Sequence, residues 1–245
     1  MISTTDTSDW PPSYTLHRSP RARSVRLHIC RLRGLRVVVP SRFDAREIPR
    51  ILEHHRKWIE KKRLEFQVLP PISVDEVSLP NQIDLRGINE TWQVLYTSSK
   101  SKAVRLEVFG SKKLVIQTDL LNKKAIHRVL RKWLREYAET QLTPWLKQLG
   151  VEFQLDFISA TVRHATTRWG SCSSRKTISL NANLLFLPEK LVKHVMLHEL
   201  SHTIHMNHSA SFWALLEKVD SDCILHRAEL KKAHQFVPAW AERQK

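Results

Sequence analysis

Cysteine is scarce in this chain and cannot pair evenly. Cys30, Cys172 and Cys223 are its only three, odd in number and far apart, which argues against a disulfide framework and fits a reducing compartment. No Cys-x-x-Cys pair occurs, so a structural zinc site built on cysteine is not expected. No apolar run approaches the roughly 20 residues needed to span a bilayer, and no apolar stretch follows a basic start at the N-terminus. The expected setting is cytoplasmic, with no membrane partner. Acidic residues are the remaining shortage: 24 Asp+Glu face 40 Lys+Arg, a formal net charge of +16. At 245 residues and 42% hydrophobic, the chain can bury a substantial core in one large domain or two small ones.

The positive charge is uneven. Residues 14–65 hold fifteen Lys/Arg against five Asp/Glu, and residues 99–141 hold eleven against four. Residues 190–245 nearly balance, with eight basic and six acidic groups. A basic face of this kind attracts nucleic acid, nucleotide or acidic protein by long-range steering. A solvated basic surface explains it equally well, because no nucleic-acid motif accompanies the charge. Arg21, Arg23, Arg31 and Arg33 are the candidate polyanion contacts.

Along the chain, residues 1–13 read as a polar, mobile tail. Val25, Leu27 and Ile29, then Leu35, Val37 and Val39, alternate as strands; Pro40 and Asp44 introduce a helix through Ile48, Leu52 and Trp58. The same order returns about eighty residues later, in Val104–Val108, Leu114–Ile116 and Arg131-Lys132-Trp133, suggesting a degenerate strand-strand-helix duplication. Short strands are expected near Ile83–Leu85 and Trp92–Tyr96. A helix from about Lys123 is expected to end at Gly150, with Pro144 kinking or splitting it. Strands follow near Phe153–Ile158, Thr161–Ala165 and Thr177–Leu180, with a turn at Arg168–Ser173. Pro188 suits the first turn of the next helix, and Ser209 or Ser211 can cap the helix after it. A last amphipathic helix is expected through Leu225, Leu230 and Phe236.

The richest stretch is His198-Glu199-Leu200-Ser201-His202, followed by His208. Residues four apart share one helix face, so His198 and His202 can reach one metal ion while Glu199 stands beside it as a general base. His208 lies six residues beyond His202, past a stretch in which Asn207 favours a turn, and can close the site as third ligand. His194 and His205 suit packing or supporting roles. Cys172 has no sequence neighbour that would stabilise a thiolate.

Three pieces, Arg168-Trp169-Gly170-Ser171-Cys172-Ser173, His198-Glu199-Leu200-Ser201-His202 and Asn207-His208-Ser209 with Phe212-Trp213, closely resemble the YgjP-like metallopeptidase family, which has a zincin-like core. The basic N-terminal hairpin and the helix ending in Lys57-Trp58-Ile59 also resemble that family's start. The resemblance implies one zinc per chain, bound by His198, His202 and His208, with Glu199 as the catalytic acid/base. The ligand spacing is also similar to that of the SprT-type repair proteases. Two positions depart from such patterns: His205 stands where metzincins have glycine, and His194 where this family commonly has an aromatic.

The expected fold is therefore α+β, a zincin-like metallopeptidase domain at 99–245 preceded by a basic strand-strand-helix region at 14–98. The expected function is zinc-dependent hydrolysis of a peptide or protein, using a zinc-activated water with Glu199 as general base. Arg168, Trp169 and Ser171, in a turn and strand that can sit beside the metal helix, and Asn207 beyond that helix are candidate substrate contacts; packing of Trp169 and Cys172 in the turn, with Arg168 paired to a carboxylate, explains the motif equally well. Two other readings remain open. The same centre could hydrolyse a phosphoanhydride, as in a nucleotide pyrophosphatase, or the zinc could be structural in a nucleic-acid-binding adaptor, although such a site needs no base at Glu199.

Overall fold

A computed structural model describes residues 10–30, 34–66, 77–99 and 103–242. Two compact units divide the chain, Met1–Ser73 and Val74–Lys245. The boundary expected between residues 98 and 99 thus falls inside the second unit. Residues 1–9 of the expected tail, together with Arg31 and Arg33, lie outside the described residues.

In the first unit, β1 (Tyr14–Ser19), β2 (Arg26–Cys30) and β3 (Gly34–Pro40) form a sheet in the order β1-β3-β2. The strand β3 pairs parallel with β1, Leu16 opposite Val37, and antiparallel with β2, Leu27 opposite Val37. Period-2 alternation buries Leu35, Val37 and Val39 against Ile48 and Leu52 of α1 (Ile48–His54) and Ile59 of α2 (Arg56–Phe66). Trp10 packs on this core as well. The expected single helix is broken into two at His55, and Asp44 caps the short turn before it by accepting from the Arg46 N–H at 2.9 Å. Arg21 and Arg23 are exposed between β1 and β2.

The second unit repeats this sheet. Its strands are β4 (Gln82–Leu85), β5 (Glu90–Ser98), β6 (Arg105–Phe109) and β7 (Lys113–Thr118), in the order β4-β5-β7-β6. As in the first unit, the central strand β7 has a parallel neighbour, β5, on one side and its hairpin partner β6 on the other. The duplicated hairpin and helix expected from sequence are present, and each has a parallel third strand: β5, expected near Trp92–Tyr96, and β1, which the sequence pattern did not reveal.

The helix α3 (Lys123–Phe153) follows, capped by the Asn122 side chain on the Ala125 N–H at 3.2 Å. It carries Pro144 inside it and ends at Gln154, a left-handed residue with φ of 55°. Gly150, the expected terminator, is buried within the helix, where a Cβ would lie 3.1 Å from the Leu155 carbonyl. Because the helix continues to Phe153, no strand forms over 153–158. The strands β8 (Ser159–Arg163), β9 (Gly170–Cys172) and β10 (Thr177–Asn181) make a second sheet, in the order β8-β10-β9 with β9 at an edge. Three helices complete the unit: α4 (Glu189–Ser201), α5 (Ala210–Val219) and α6 (Cys223–Leu230). The expected long final helix stops at Leu230, and short 3-10 turns replace the rest. The architecture is α+β, and no described helix is long and apolar enough to cross a membrane.

Helix α4 runs through the packed interior, burying Leu191, Val192, Val195, Met196, Leu197 and Leu200. Gly87, in the turn Arg86–Ile88, lets the backbone approach it closely: an added Cβ would lie 2.9 Å from Val192 Cγ2 and 3.2 Å from the Leu184 carbonyl. Glycine-to-alanine changes in compatible backbone stabilise by reducing unfolded-state freedom. Here the overlap dominates, and Gly87→Ala is expected to lower stability by about 1–3 kcal/mol, read from the urea unfolding midpoint.

Candidate metal centre and its cavity

Pro188 opens α4, its carbonyl accepting from the Leu191 and Val192 N–H groups. The helix ends at Ser201, and a tight turn follows in which the Ile204 and His205 N–H groups donate to the Ser201 carbonyl. That turn brings the chain back so that His208 faces the helix it has just left. Ser209 then caps α5, its hydroxyl accepting from the Phe212 N–H at 3.4 Å.

The three imidazoles meet. His198 Nε2 lies 3.2 Å from His202 Nε2 and 3.1 Å from His208 Nε2. Phe212, fully buried, packs against all three rings with centroid distances of 5.0, 4.5 and 4.8 Å. Hydrogen bonding cannot satisfy this arrangement. His202 Nδ1 is 3.0 Å from the His205 carbonyl, which only accepts, so the ring's proton sits on Nδ1 and Nε2 is a bare lone pair. Burial, reinforced by the neighbouring imidazoles, pushes His198 down to about 3 and keeps it neutral. Neutral nitrogens about 3.3 Å apart are what four-coordinate zinc with bonds near 2.0 Å requires, so the donor set fits that ion.

A second trio, His194, Asp220 and His226, resembles a site by composition. Its geometry is that of a hydrogen-bonded clamp. His194 Nδ1 donates to Asp220 Oδ2 at 2.6 Å, and His226 Nδ1 donates to the same carboxylate at 3.0 and 3.1 Å. Each proton there already has an acceptor. His194 is thus a buried side chain held by Asp220, a partner 26 residues away that sequence spacing did not bring forward.

Glu199 is 6% exposed and lies against the edge strand β9. A Cβ at Gly170 would fall 2.6 Å from both Cγ and Oε1 of Glu199, so only glycine admits the carboxyl there. Burial pushes Glu199 up to about 7, while Arg168 and a hydrogen bond from the Cys172 N–H pull the other way. A cation in the nearby imidazole cluster would add to that downward pull. Cys172 itself is pushed up by burial and by Glu199, which leaves the thiol protonated and a poor nucleophile.

A cavity of about 490 Å³ opens beside the imidazoles, lined by His198, Glu199, His208, Trp169, Trp213 and Arg227 among others. A smaller one of about 280 Å³ runs along the loop from Arg163 to Ser171 and includes Arg168. Of the sequence candidates, Trp169 borders both cavities, as does its neighbour Gly170, and Ser171 the smaller, paired opposite Ser179. Asn207 is exposed and borders neither cavity. Asn181 is the residue that motif reading missed: its side-chain NH2 donates to the carbonyls of Ala165 at 2.8 Å and Arg168 at 3.0 Å, and its Oδ1 accepts from the Asn183 N–H. It thereby fixes the loop that carries Arg168 and Trp169.

The model of a family described as YgjP-like, metallopeptidase domain, matches residues 23–233. Comparison with curated proteins gives no match. Among solved structures, the metallopeptidase zymogen of Pyrococcus abyssi abylysin is 22% identical, with a TM-score of 0.35, over 39% of this chain and 96% of that one. A likeness at that score carries no structural argument.

Because Asn181 is buried and serves three backbone groups, Asn181→Ala is expected to cost about 1–3 kcal/mol by leaving them unsatisfied. Amide hydrogen exchange should show faster exchange in residues 165–170, with α4 still protected; unchanged exchange there would refute the positioning role.

Proposed function

Since the chain belongs to the YgjP-like metallopeptidase family, we propose that it is a zinc-dependent peptidase in which His198, His202 and His208 hold the metal and Glu199 moves the proton. The observation carrying this reading is the convergence of three Nε2 atoms at 3.1–3.2 Å beside a buried carboxyl and an open cavity. Zinc, when bound, supplies Lewis acidity toward the peptide carbonyl and the attacking water.

The chain's own residues supply the rest. Glu199 takes a proton from the attacking water on its carboxylate and delivers it to the departing amine, a shuttle suited to a carboxyl whose pKa burial has raised. Gly170 keeps that carboxyl in one place by leaving room for it alone. The edge strand β9, whose Cys172 N–H is held by Glu199, offers its remaining outward backbone groups to an extended peptide, which would align the scissile bond with Glu199. The charge of Arg168, which favours ionised Glu199, would likewise favour negative charge developing near it. Trp169, just before the strand, and Ser171, within it, serve as substrate contacts. The exposed Arg21 and Arg23 enter this reading through the net charge of +16, which draws acidic partners toward the molecule.

Two experiments test the reading. Glu199→Gln keeps the shape of the side chain and removes its basicity, so zinc stoichiometry should stay at one per chain while peptide cleavage falls at least ~100-fold. Retention of activity would refute the mechanism. His208→Ala should weaken zinc binding in chelator competition by more than the roughly 10–100-fold that losing a ligand's support costs, whereas His205→Ala should change little, because residue 205 contributes its carbonyl.

A further inference from the structure

Arg227, on α6, lines the cavity beside the imidazoles and makes no ion pair among the described residues. Its guanidinium stacks 4.6 Å over the Trp213 ring, and Trp213 is itself stacked by His208 at 5.8 Å. None of the described carboxylates on the same segment pairs with it: Glu217 and Asp222 make no ion pair with Arg227, and two others are engaged elsewhere. Asp220 receives His194 and His226, and Glu229 pairs with Lys190 at 2.7 Å. A stacked guanidinium is oriented at little entropic cost and keeps its N–H fork free for a planar, bidentate acceptor.

We infer that the cavity beside the imidazole cluster is a subsite for a carboxylate-bearing residue of the peptide, read by Arg227 on its Trp213 platform; this rests on the peptidase reading above. The charge of the cavity favours a carboxylate over a polyphosphate. Beside the metal ion of the peptidase reading, its lining contributes one positive side chain, Arg227, and one carboxyl, Glu199, which matches one carboxylate, whereas a nucleoside triphosphate would need further cations to offset its charge. Val195 and Leu230 supply apolar wall for the aliphatic part of an acidic side chain. The net charge of +16 favours approach of the same substrates. The carboxylate can come from an acidic side chain or from the peptide's own C-terminus, and the experiment separates them.

Three degenerate peptide libraries suffice: one amidated at the C-terminus with Glu fixed at a central position, one amidated with Gln there, and one with Gln and a free C-terminal carboxylate. Cleavage by zinc-loaded wild type is read by mass spectrometry. Binding is read by fluorescence anisotropy on zinc-loaded Glu199→Gln protein, which reports the anion preference even if no peptide is cut. The expected result is a preference of about 10- to 100-fold for a carboxylate-bearing library over the amidated Gln library, the range a charge-assisted hydrogen bond supports. Preference for the Glu library assigns the subsite to an acidic side chain, and preference for the free carboxylate assigns it to the chain terminus. Arg227→Gln should abolish the preference and Arg227→Lys should retain part of it, with zinc stoichiometry confirming that both variants fold. Equal binding of all three libraries, or a preference that survives Arg227→Gln, overturns the inference. Arg227-dependent binding of inorganic pyrophosphate without any preference for carboxylate peptides also overturns it. If the preference holds in binding but wild type cleaves no library, the peptidase reading fails while the subsite stands.

Discussion

Two imidazole Nε2 atoms brought within 3.2 Å of a third, that of His198, cannot all be paired by hydrogen bonds among themselves, and the surrounding packing has to hold them there. Neutral imidazoles carry one proton each, and that of His202 is spent on the His205 carbonyl. The hold comes from Phe212, wedged against all three rings, and from α4, whose buried stripe leaves the helix no freedom to rotate. Burial is also what keeps His198 neutral, the protonation state a metal ligand needs. The position of Glu199 follows, since it is fixed on the same helix and faces the one residue of β9 that lacks a side chain.

What could be read from sequence was local. The i, i+4 spacing of His198 and His202, the cap at Ser209, the helix start at Pro188 and the alternation in β3 and β7 each depend on residues a few positions apart. What could not be read depends on distant partners. The strand β1 is mostly exposed and shows little alternation; it exists because β3 offers it a parallel edge. Gly150 looks like a helix stop, yet the close approach of Leu155 and Phe157 explains it within a helix that goes on. Asp220 and Arg227 carry no motif, and their importance arises only when α6 is brought beside α4.

The two sheets with a parallel and an antiparallel neighbour around their central strand turn a degenerate sequence echo into a shared topology. Their sequels differ. After β3 the chain makes two short helices, whereas after β7 it makes the 31-residue α3, which packs on β8 and α4 and so belongs to the framework of the candidate metal centre. Similar hairpins have been put to different uses, and only the second unit carries the imidazole cluster.

The imidazoles of α4 and its end are steadied in two unlike ways, with unequal consequences for how the chain can evolve. His202 leans on a main-chain carbonyl, which persists whatever side chain occupies position 205. His194 leans on the carboxylate of Asp220, which a single codon change can erase. Natural variation can therefore pass freely through position 205 so long as the turn is kept. Variation at 194, 220 and 226 has to be concerted, and a lineage that loses one of these three is expected to lose or replace the others with it.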